Sequence, residues 1–387
     1  MIFAAGRLAA PPPLALYVHI PWCVRKCPYC DFNSHAAREA IPEDAYLDAL
    51  ELDLVASLPL IWEREVISVF IGGGTPSLFG APAIDRLLTR LRTLTRLSPL
   101  AEITLEANPG TFEVARFRGY REAGVNRLSL GIQSFDPRHL RALGRIHDDR
   151  EARAAVEAAL AIFDNVNLDL MYALPEQTLA EARRDLETAI GYGPAHLSAY
   201  HLTLEPNTPF AAAPPPLPDD ELAADMQQMA EATLAAAGYR HYETSAFSRP
   251  GRQCLHNLNY WLFGDYLGIG AGAHSKLSSP ERILRQSRVR HPRDYLRHAG
   301  TDAALSEERE VGRDDRVFEF MMNALRLVEG YDTRLLGERT GLPPGAAEAG
   351  LARAEEMGLI ERDPRRVRPT ERGRRFLNDL LQLFLSD

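Results

Sequence analysis

Three of the four cysteines of this 387-residue chain fall within eight residues: Cys23, Cys27 and Cys30, in the run Cys23-Val24-Arg25-Lys26-Cys27-Pro28-Tyr29-Cys30. Three thiolates on one short loop can hold a metal centre and leave it one ligand short. Two centres suit that spacing. A [4Fe–4S] cluster is saturated by four cysteines, so three would keep one iron open to a small molecule. A tetrahedral zinc ion would take the three sulfurs and a histidine, His19 or His35. Free cysteine is also a common small core residue, but this segment carries Arg25 and Lys26 and is punctuated by Pro21 and Pro28.

Further polar residues stand at the ends of apolar runs. These runs are Leu16–Ile20, Val66–Ile71, Glu102–Glu106, Arg127–Gly131, Val166–Met171 and His196–His201. Amphipathic stretches separate and follow them, among them Asp44–Leu58, Ala83–Leu97, Glu151–Phe163, Leu179–Ile190 and Glu221–Ala237, several opened by acidic residues as the helix dipole prefers. Strands alternating with helices imply βαβ units and a parallel sheet. Six such units predict an α/β fold, a partial (β/α)6 barrel. Gly72-Gly73-Gly74-Thr75-Pro76-Ser77 follows the second strand, Glu106 ends the third, Gln133 follows the fourth and Asp169 lies near the end of the fifth. Singly these read as a turn, surface carboxylates or helix caps. Jointly they occupy the carboxyl ends of strands, where α/β barrels build their sites, and the cysteine loop follows the first strand. A zinc ribbon would not need that convergence.

Composition narrows the class. A hydrophobic fraction of 45% and a charged fraction of 25% are those of an ordinary globular protein. A formal charge of −9 argues against binding nucleic acid through bulk electrostatics. Clustered cysteines make no disulfide framework and suit a reducing cytosol. Met1–Pro13 lacks the basic start and long apolar stretch of a signal peptide, and no run is apolar enough to span a bilayer. A cytoplasmic location is expected.

The spacing Cys-x₃-Cys-x-aromatic-Cys, with Tyr29 before Cys30, resembles that of the radical S-adenosylmethionine superfamily. The resemblance implies a [4Fe–4S] cluster on Cys23, Cys27 and Cys30, its open iron chelated by S-adenosylmethionine, from which one electron releases a 5′-deoxyadenosyl radical. Tyr17–Pro21, Gly72–Ser77, Leu105–Pro109, Ser129–Phe135 and Asn167–Pro175 further resemble the oxygen-independent coproporphyrinogen dehydrogenase group. Carried over by position, Tyr17 and Tyr29 would lie near S-adenosylmethionine. Gly73, Gly74 and Thr75 would meet its methionine part, and Glu106, Gln133, Arg145 and Asp169 its polar groups. Two departures point away from the dehydrogenase. Phe32 stands where that group has a further cysteine, and only a short leader precedes Tyr17. Both favour the similar haem-chaperone branch, with dehydrogenase activity as the alternative. The implied partners are haem, haem-receiving proteins, membrane respiratory enzymes among them, and an electron donor for the cluster.

Cys254-Leu255-His256-Asn257-Leu258-Asn259-Tyr260-Trp261 resembles the His-Asn-x-x-Tyr-Trp motif of that branch, to which haem binding is attributed. An imidazole can ligate iron and aromatic rings can wall a porphyrin, so His256 is the expected haem contact. The plainer reading caps a turn with His256 and packs the aromatics into the core. Gly268–Ala273 lacks the third glycine of a dinucleotide fingerprint and reads as close-packed backbone. Beyond Val289–Ala304 the pattern changes. Helices at Asp314–Leu327, Thr333–Thr340 and Pro344–Met357, a hairpin at Gly358–Thr370 and a last helix at Glu371–Leu385 resemble a winged helix. Arg365, Arg366 and Arg368 could touch phosphate, yet Glu348, Glu355 and Glu356 would repel it, so a lid or docking module is expected in place of a DNA reader. The expected division is a leader at 1–14, the barrel with its haem-motif extension at 15–290 and the C-terminal unit at 291–387.

Overall fold

The alternating apolar and amphipathic segments build the parallel sheet that their order implies. The computed structural model describes residues 7–110 and 114–385, so the first six residues of the expected leader lie outside it. Six parallel strands lie side by side in chain order: β1 (Leu14–Ile20), β2 (Glu65–Gly73), β3 (Arg96–Ala107), β4 (Arg127–Gln133), β5 (Val166–Tyr172) and β6 (His196–His201). Every residue of β1 except Tyr17 is buried. Helices cover one face of the strand and the core fills the other, which is why it reads as a nearly unbroken apolar run.

The covering helices are α1 (Glu43–Ser57), α2 (Ala81–Leu94), α3 (Phe117–Ala123), α4 (Pro137–Ala142), α5 (Asp149–Ile162), α6 (Leu179–Tyr192) and α7 (Asp220–Ala236). Reciprocal capping boxes, Asp148 with Glu151 and Thr178 with Glu181, start α5 and α6. Gly193, at φ 68°, closes α6 in the left-handed conformation.

The sheet continues beyond these units on both edges. β7 (Arg240–Glu243) and β8 (Ala246–Ser248) extend it past β6, and β9 (Asp265–Ile269), β10 (His274–Ser278), β11 (Ile283–Arg288) and β12 (Leu305–Glu310) extend it past β1. The order is β12-β11-β10-β9-β1-β2-β3-β4-β5-β6-β8-β7. Only β9 among the added strands runs parallel to its inner neighbour, β1; the rest pair antiparallel. The barrel therefore stays open. Its β12 edge is shielded by exposed charges, Glu307 to Glu310.

The expected boundary after residue 290 falls inside this sheet, because β12 pairs with β11 along Leu284–Arg288. A second core joins Phe263 and Ile283 to Val311, Phe320, Leu351 and Phe384. The C-terminal unit has helices Asp315–Ala324, Arg334–Thr340 and Glu348–Glu356 and a three-stranded sheet of Tyr331–Asp332, Arg366–Pro369 and Ile360–Arg362. The last helix is broken at Phe376 into Glu371–Arg375 and Leu377–Gln382. Several of the basic residues here are paired internally, Arg362 with Glu348 and Glu355, and Arg368 with Glu361.

Candidate functional site

Parallel register lines up the strand-end residues. Glu106 of β3 pairs with Ser129 of β4, Gly131 with Asp169 of β5, and Asp169 with Ser198 of β6. Glu106, Ser129, Gly131 and Asp169 line a cavity of about 480 Å3 that the cysteine loop also walls. The cavity walls include Cys23, Cys27, Cys30, Tyr29, Gly73, Gly74, Thr75, Glu106, Gln133, Arg145 and Asp169. Of the residues expected at this site, only Tyr17 and His256 are elsewhere.

The cysteine loop is pinched shut at its base, where Trp22–Cys23 pairs with His35–Ala36, and Lys26 Nζ donates to the Phe32 carbonyl at 3.0 Å. All three thiols are free and half-buried. Burial pushes the Cys23 and Cys30 thiols up, and neighbouring cysteines add to the rise. Packed sulfurs that resist ionisation are a donor set completed by a cationic metal centre. Zinc would lack the histidine expected as its fourth ligand. Neither His19 nor His35 lines the cavity, and His19 is committed, Nδ1 to the Tyr17 hydroxyl at 2.9 Å and Nε2 to the Asn33 carbonyl at 2.8 Å. His35 packs on His291 with ring centroids 5.4 Å apart.

The glycine turn is built for close approach. Gly73 has φ 117°, and a Cβ there would lie 2.6 Å from the His19 ring; at Gly74 it would lie 2.5 Å from the Trp22 carbonyl oxygen. The N–H groups of Gly73, Gly74 and Thr75 donate to Glu106 Oε2, Ile20 O and Trp22 O respectively. The turn can therefore offer a ligand only carbonyl oxygens and the Thr75 hydroxyl.

Charges are set for a zwitterion. Burial, with the Asp169 carboxylate adding to it, pushes Glu106 up to about 8. Burial also raises Asp169, against hydrogen bonds from Asn167 Nδ2 at 2.9 Å and Ser129 Oγ at 3.0 Å. A bound ammonium would relieve both carboxyls. Opposite in sign is Arg145. Its Nη2 donates to Asn108 Oδ1 at 2.7 Å and to Gly131 O at 2.8 Å, Nη1 reaches Cys27 Sγ at 3.7 Å, and its buried Nε has no hydrogen-bond partner among the described residues. An orphaned guanidinium N–H suits a carboxylate. Gln133, just past a register shift in β4, holds a left-handed φ of 68°, the kind of local strain that collects at binding sites. The cavity residues thus fit a [4Fe–4S] cluster with S-adenosylmethionine.

Sequence reasoning missed Asn108, which bridges Thr75 Oγ1 and Arg145, and Tyr200 and His201 at the end of β6. Asn108 lay inside a quoted motif, and β6 obeys the same strand-end rule, so both carried a usable signal.

A second cavity of about 810 Å3 adjoins the first, and Phe32, Gly73 and Glu106 line both. Its walls are Tyr17 of β1, Tyr260 and Trp261 of α8 (Leu255–Trp261), and the inner faces of β9, β10 and β11. His256 lies one layer behind, 1% exposed, with Nδ1 3.0 Å from Ser68 Oγ and Nε2 3.0 Å from the Tyr260 hydroxyl. Burial, then the charge of Arg127, lowers its pKa to about 3. Cys254 is fully buried against Glu102, with Sγ 3.4 Å from Oε1.

The family description "Radical SAM superfamily" matches residues 17–189, and "HemN C-terminal domain" matches 311–376. The chain is 48% identical to "Heme chaperone HemW" of Escherichia coli K12 over 378 residues, 97% of this chain and 99% of that one. It is 33% identical to the protein of the same name from Bacillus subtilis over 96% of this chain and 99% of that one. Among solved structures it is similar to coproporphyrinogen III oxidase (HemN) of Escherichia coli, a radical SAM enzyme, with TM-score 0.82 and 28% identity over 97% of this chain and 90% of that one. The two adjoining cavities thus sit on a chain that belongs to the radical SAM superfamily and, within it, to the HemW family of haem chaperones.

Proposed function

We propose that this protein binds haem in the larger cavity beside a [4Fe–4S]- and S-adenosylmethionine-binding site and hands it to haem proteins. The observation that carries this reading is the junction of the two cavities at Phe32, Gly73 and Glu106, one lined by three free thiols and the other by aromatic and cationic side chains. Cys23, Cys27 and Cys30 are assigned to the cluster. Bound there, the cluster supplies a one-electron reductant and an open iron. The chain's own residues then hold the small molecule. Arg145 Nε takes its carboxylate, Glu106 and Asp169 its ammonium and ribose hydroxyls, Tyr29 and Gln133 flank it, and the carbonyl edge of Gly73, Gly74 and Thr75 admits its methionine part. Tyr17 acts from the haem side, and His256 serves the haem site through Tyr260.

Dehydrogenation of coproporphyrinogen is the second reading, favoured by the overlay on coproporphyrinogen III oxidase. Phe32 in place of a further cysteine speaks against it. No helix among the described residues is long and apolar enough to cross a membrane. We place the protein in the cytoplasm on its free, clustered cysteines, with an electron donor and membrane respiratory enzymes as partners.

The test is anaerobic reconstitution followed by iron and sulfide analysis, EPR of the reduced cluster with and without S-adenosylmethionine, and haemin titration. Four irons per chain, a signal changed by S-adenosylmethionine and a saturable Soret band are expected. Stoichiometric zinc without iron would overturn the cluster, and conversion of coproporphyrinogen to protoporphyrinogen would favour the second reading.

A further inference from the structure

The larger cavity, at about 810 Å3, falls in the roughly 300–1,000 Å3 range of cofactor-sized sites. Three histidines adjoin it, and their hydrogen bonds sort them. His19 and His256 each have both ring nitrogens engaged within the protein. Either could ligate a metal only by abandoning a buried partner, which costs the desolvation of the group left behind. His274 differs. It heads β10, lines the cavity, is exposed, and its ring makes no hydrogen bond among the described residues. It stands opposite Ser287 of β11, and the two-residue period of β10 puts it on the same face as Lys276, another wall residue. Partial burial, then the charges of Arg290 and Arg285, hold its pKa below the usual histidine value. The neutral imidazole, the form that ligates iron, is thus present at neutral pH.

The cations around the cavity sort in the same way. Lys276 is paired with Asp265 at 2.9 Å, Arg285 with Glu319 at 2.6 Å and Arg288 with Asp53 at 2.8 Å. Arg290 lines the cavity, is exposed, and its guanidinium forms no ion pair among the described residues. A ligand carboxylate can meet it without displacing anything. Between these two groups and the cluster loop stand the flat walls. Tyr260 meets Tyr266 edge-on with centroids 4.5 Å apart, and Trp261 is backed by Arg326 at 4.3 Å.

We propose that His274 is the side chain that meets the iron of a haem seated in this cavity, that Arg290 pairs with a haem propionate at its mouth, and that His256 is a positioning residue which fixes the Tyr260 wall. This rests on the haem reading above and specifies how the site works. It moves the iron contact from the helix that carries the recognisable motif to a strand that carries none.

The test is titration of the full-length, cluster-reconstituted chain with haemin. His274→Ala is expected to shift the Soret maximum and the ferric-haem EPR signal and to weaken binding at least tenfold, with millimolar imidazole restoring the original spectrum. His256→Ala is expected to weaken binding through a loosened wall while leaving the Soret position unmoved and unaffected by imidazole. Arg290→Ala is expected to weaken haemin severalfold but not haemin dimethyl ester, whose propionates are uncharged. His274 and Arg290 are exposed, so retention of iron and sulfide by these variants checks that the fold is intact. An unshifted spectrum in His274→Ala, or a shifted one in His256→Ala, would overturn the iron assignment. Equal weakening of haemin and its ester by Arg290→Ala would overturn the propionate assignment. Lack of any saturable haemin complex in the unsubstituted chain would defeat the haem reading itself, and the proposal with it.

Discussion

Glu106 stores a cost that a bound cation would release, and Glu106→Gln measures it. In the folded protein burial and the Asp169 charge hold this carboxyl near 8, against 4.5 ordinarily. Each tenfold change in proton affinity is worth about 1.4 kcal/mol, so the full rise corresponds to about 5 kcal/mol. The side chain faces an open cavity, and screening there reduces the figure to roughly 2–3 kcal/mol. Between pH 4.5 and about 8 the unfolded chain has lost this proton while the folded chain still holds it. Fewer protons bound in the unfolded state means that stability falls as pH rises through that window and is flat on either side. Glutamine keeps an oxygen for the Gly73 N–H, which donates to Glu106 Oε2 at 3.1 Å, but it cannot ionise. Urea denaturation of the metal-free protein at a series of pH values should therefore show the stability difference between Glu106→Gln and the unsubstituted chain growing by roughly 2–3 kcal/mol from pH 5 to pH 8, in favour of the variant. In the cluster-loaded protein the same substitution should weaken S-adenosylmethionine at least tenfold, because the ammonium loses its counter-charge. Parallel pH profiles would refute the electrostatic reasoning, and unchanged S-adenosylmethionine affinity would refute the placement of the ammonium.

Three further outcomes follow from particular contacts. Gly74→Ala puts a methyl 2.5 Å from the Trp22 carbonyl oxygen, so the cysteine loop must shift; reconstituted protein should retain markedly less iron, and full iron retention would show that the turn is more compliant than its contacts suggest. Arg145→Lys loses the planar fork that spans Asn108, Gly131 and Cys27 and should raise the S-adenosylmethionine Kd about tenfold in equilibrium titration; an unchanged Kd would place the carboxylate elsewhere. Lys276→Met leaves Asp265 fully buried with Arg64, at 2.9 Å, as its remaining counter-ion, and should lower unfolding stability by about 3 kcal/mol in denaturant titration; an unmoved midpoint would mean that Arg64 compensates completely.

Local periodicity explains what was legible. The alternation of apolar runs and amphipathic stretches depends only on neighbouring residues, and it located five of the six inner strands to within a few residues. The exception is β3, which starts at Arg96, ahead of the expected Glu102. The strands β9 to β12 were not legible. β9 is held by pairing Leu14–Val18 with Asp265–Ile269, some 250 positions away, and no short window contains both partners. The boundary expected after residue 290 fails to coincide with the sheet's edge for the same reason.

The chemistry divides along the same line. Cys23, Cys27 and Cys30 are neighbours in the chain, so their spacing alone specifies a three-thiolate loop, and the strand-end rule alone brings Glu106, Gln133 and Asp169 to it. Which face a side chain takes depends on what its element packs against. α8 lies against β2, which turns His256 inward to Ser68 and leaves Tyr260 and Trp261 as wall. Tyr17 faces the larger cavity and not the cysteine-lined one. His274 and Arg290 carry no motif at all. Sequence by itself determined the three-thiolate loop and the strands that present it, because both follow from local spacing; the second cavity and the residues that face it were decided by tertiary pairing, because strands distant in the chain had to meet before that cavity had walls.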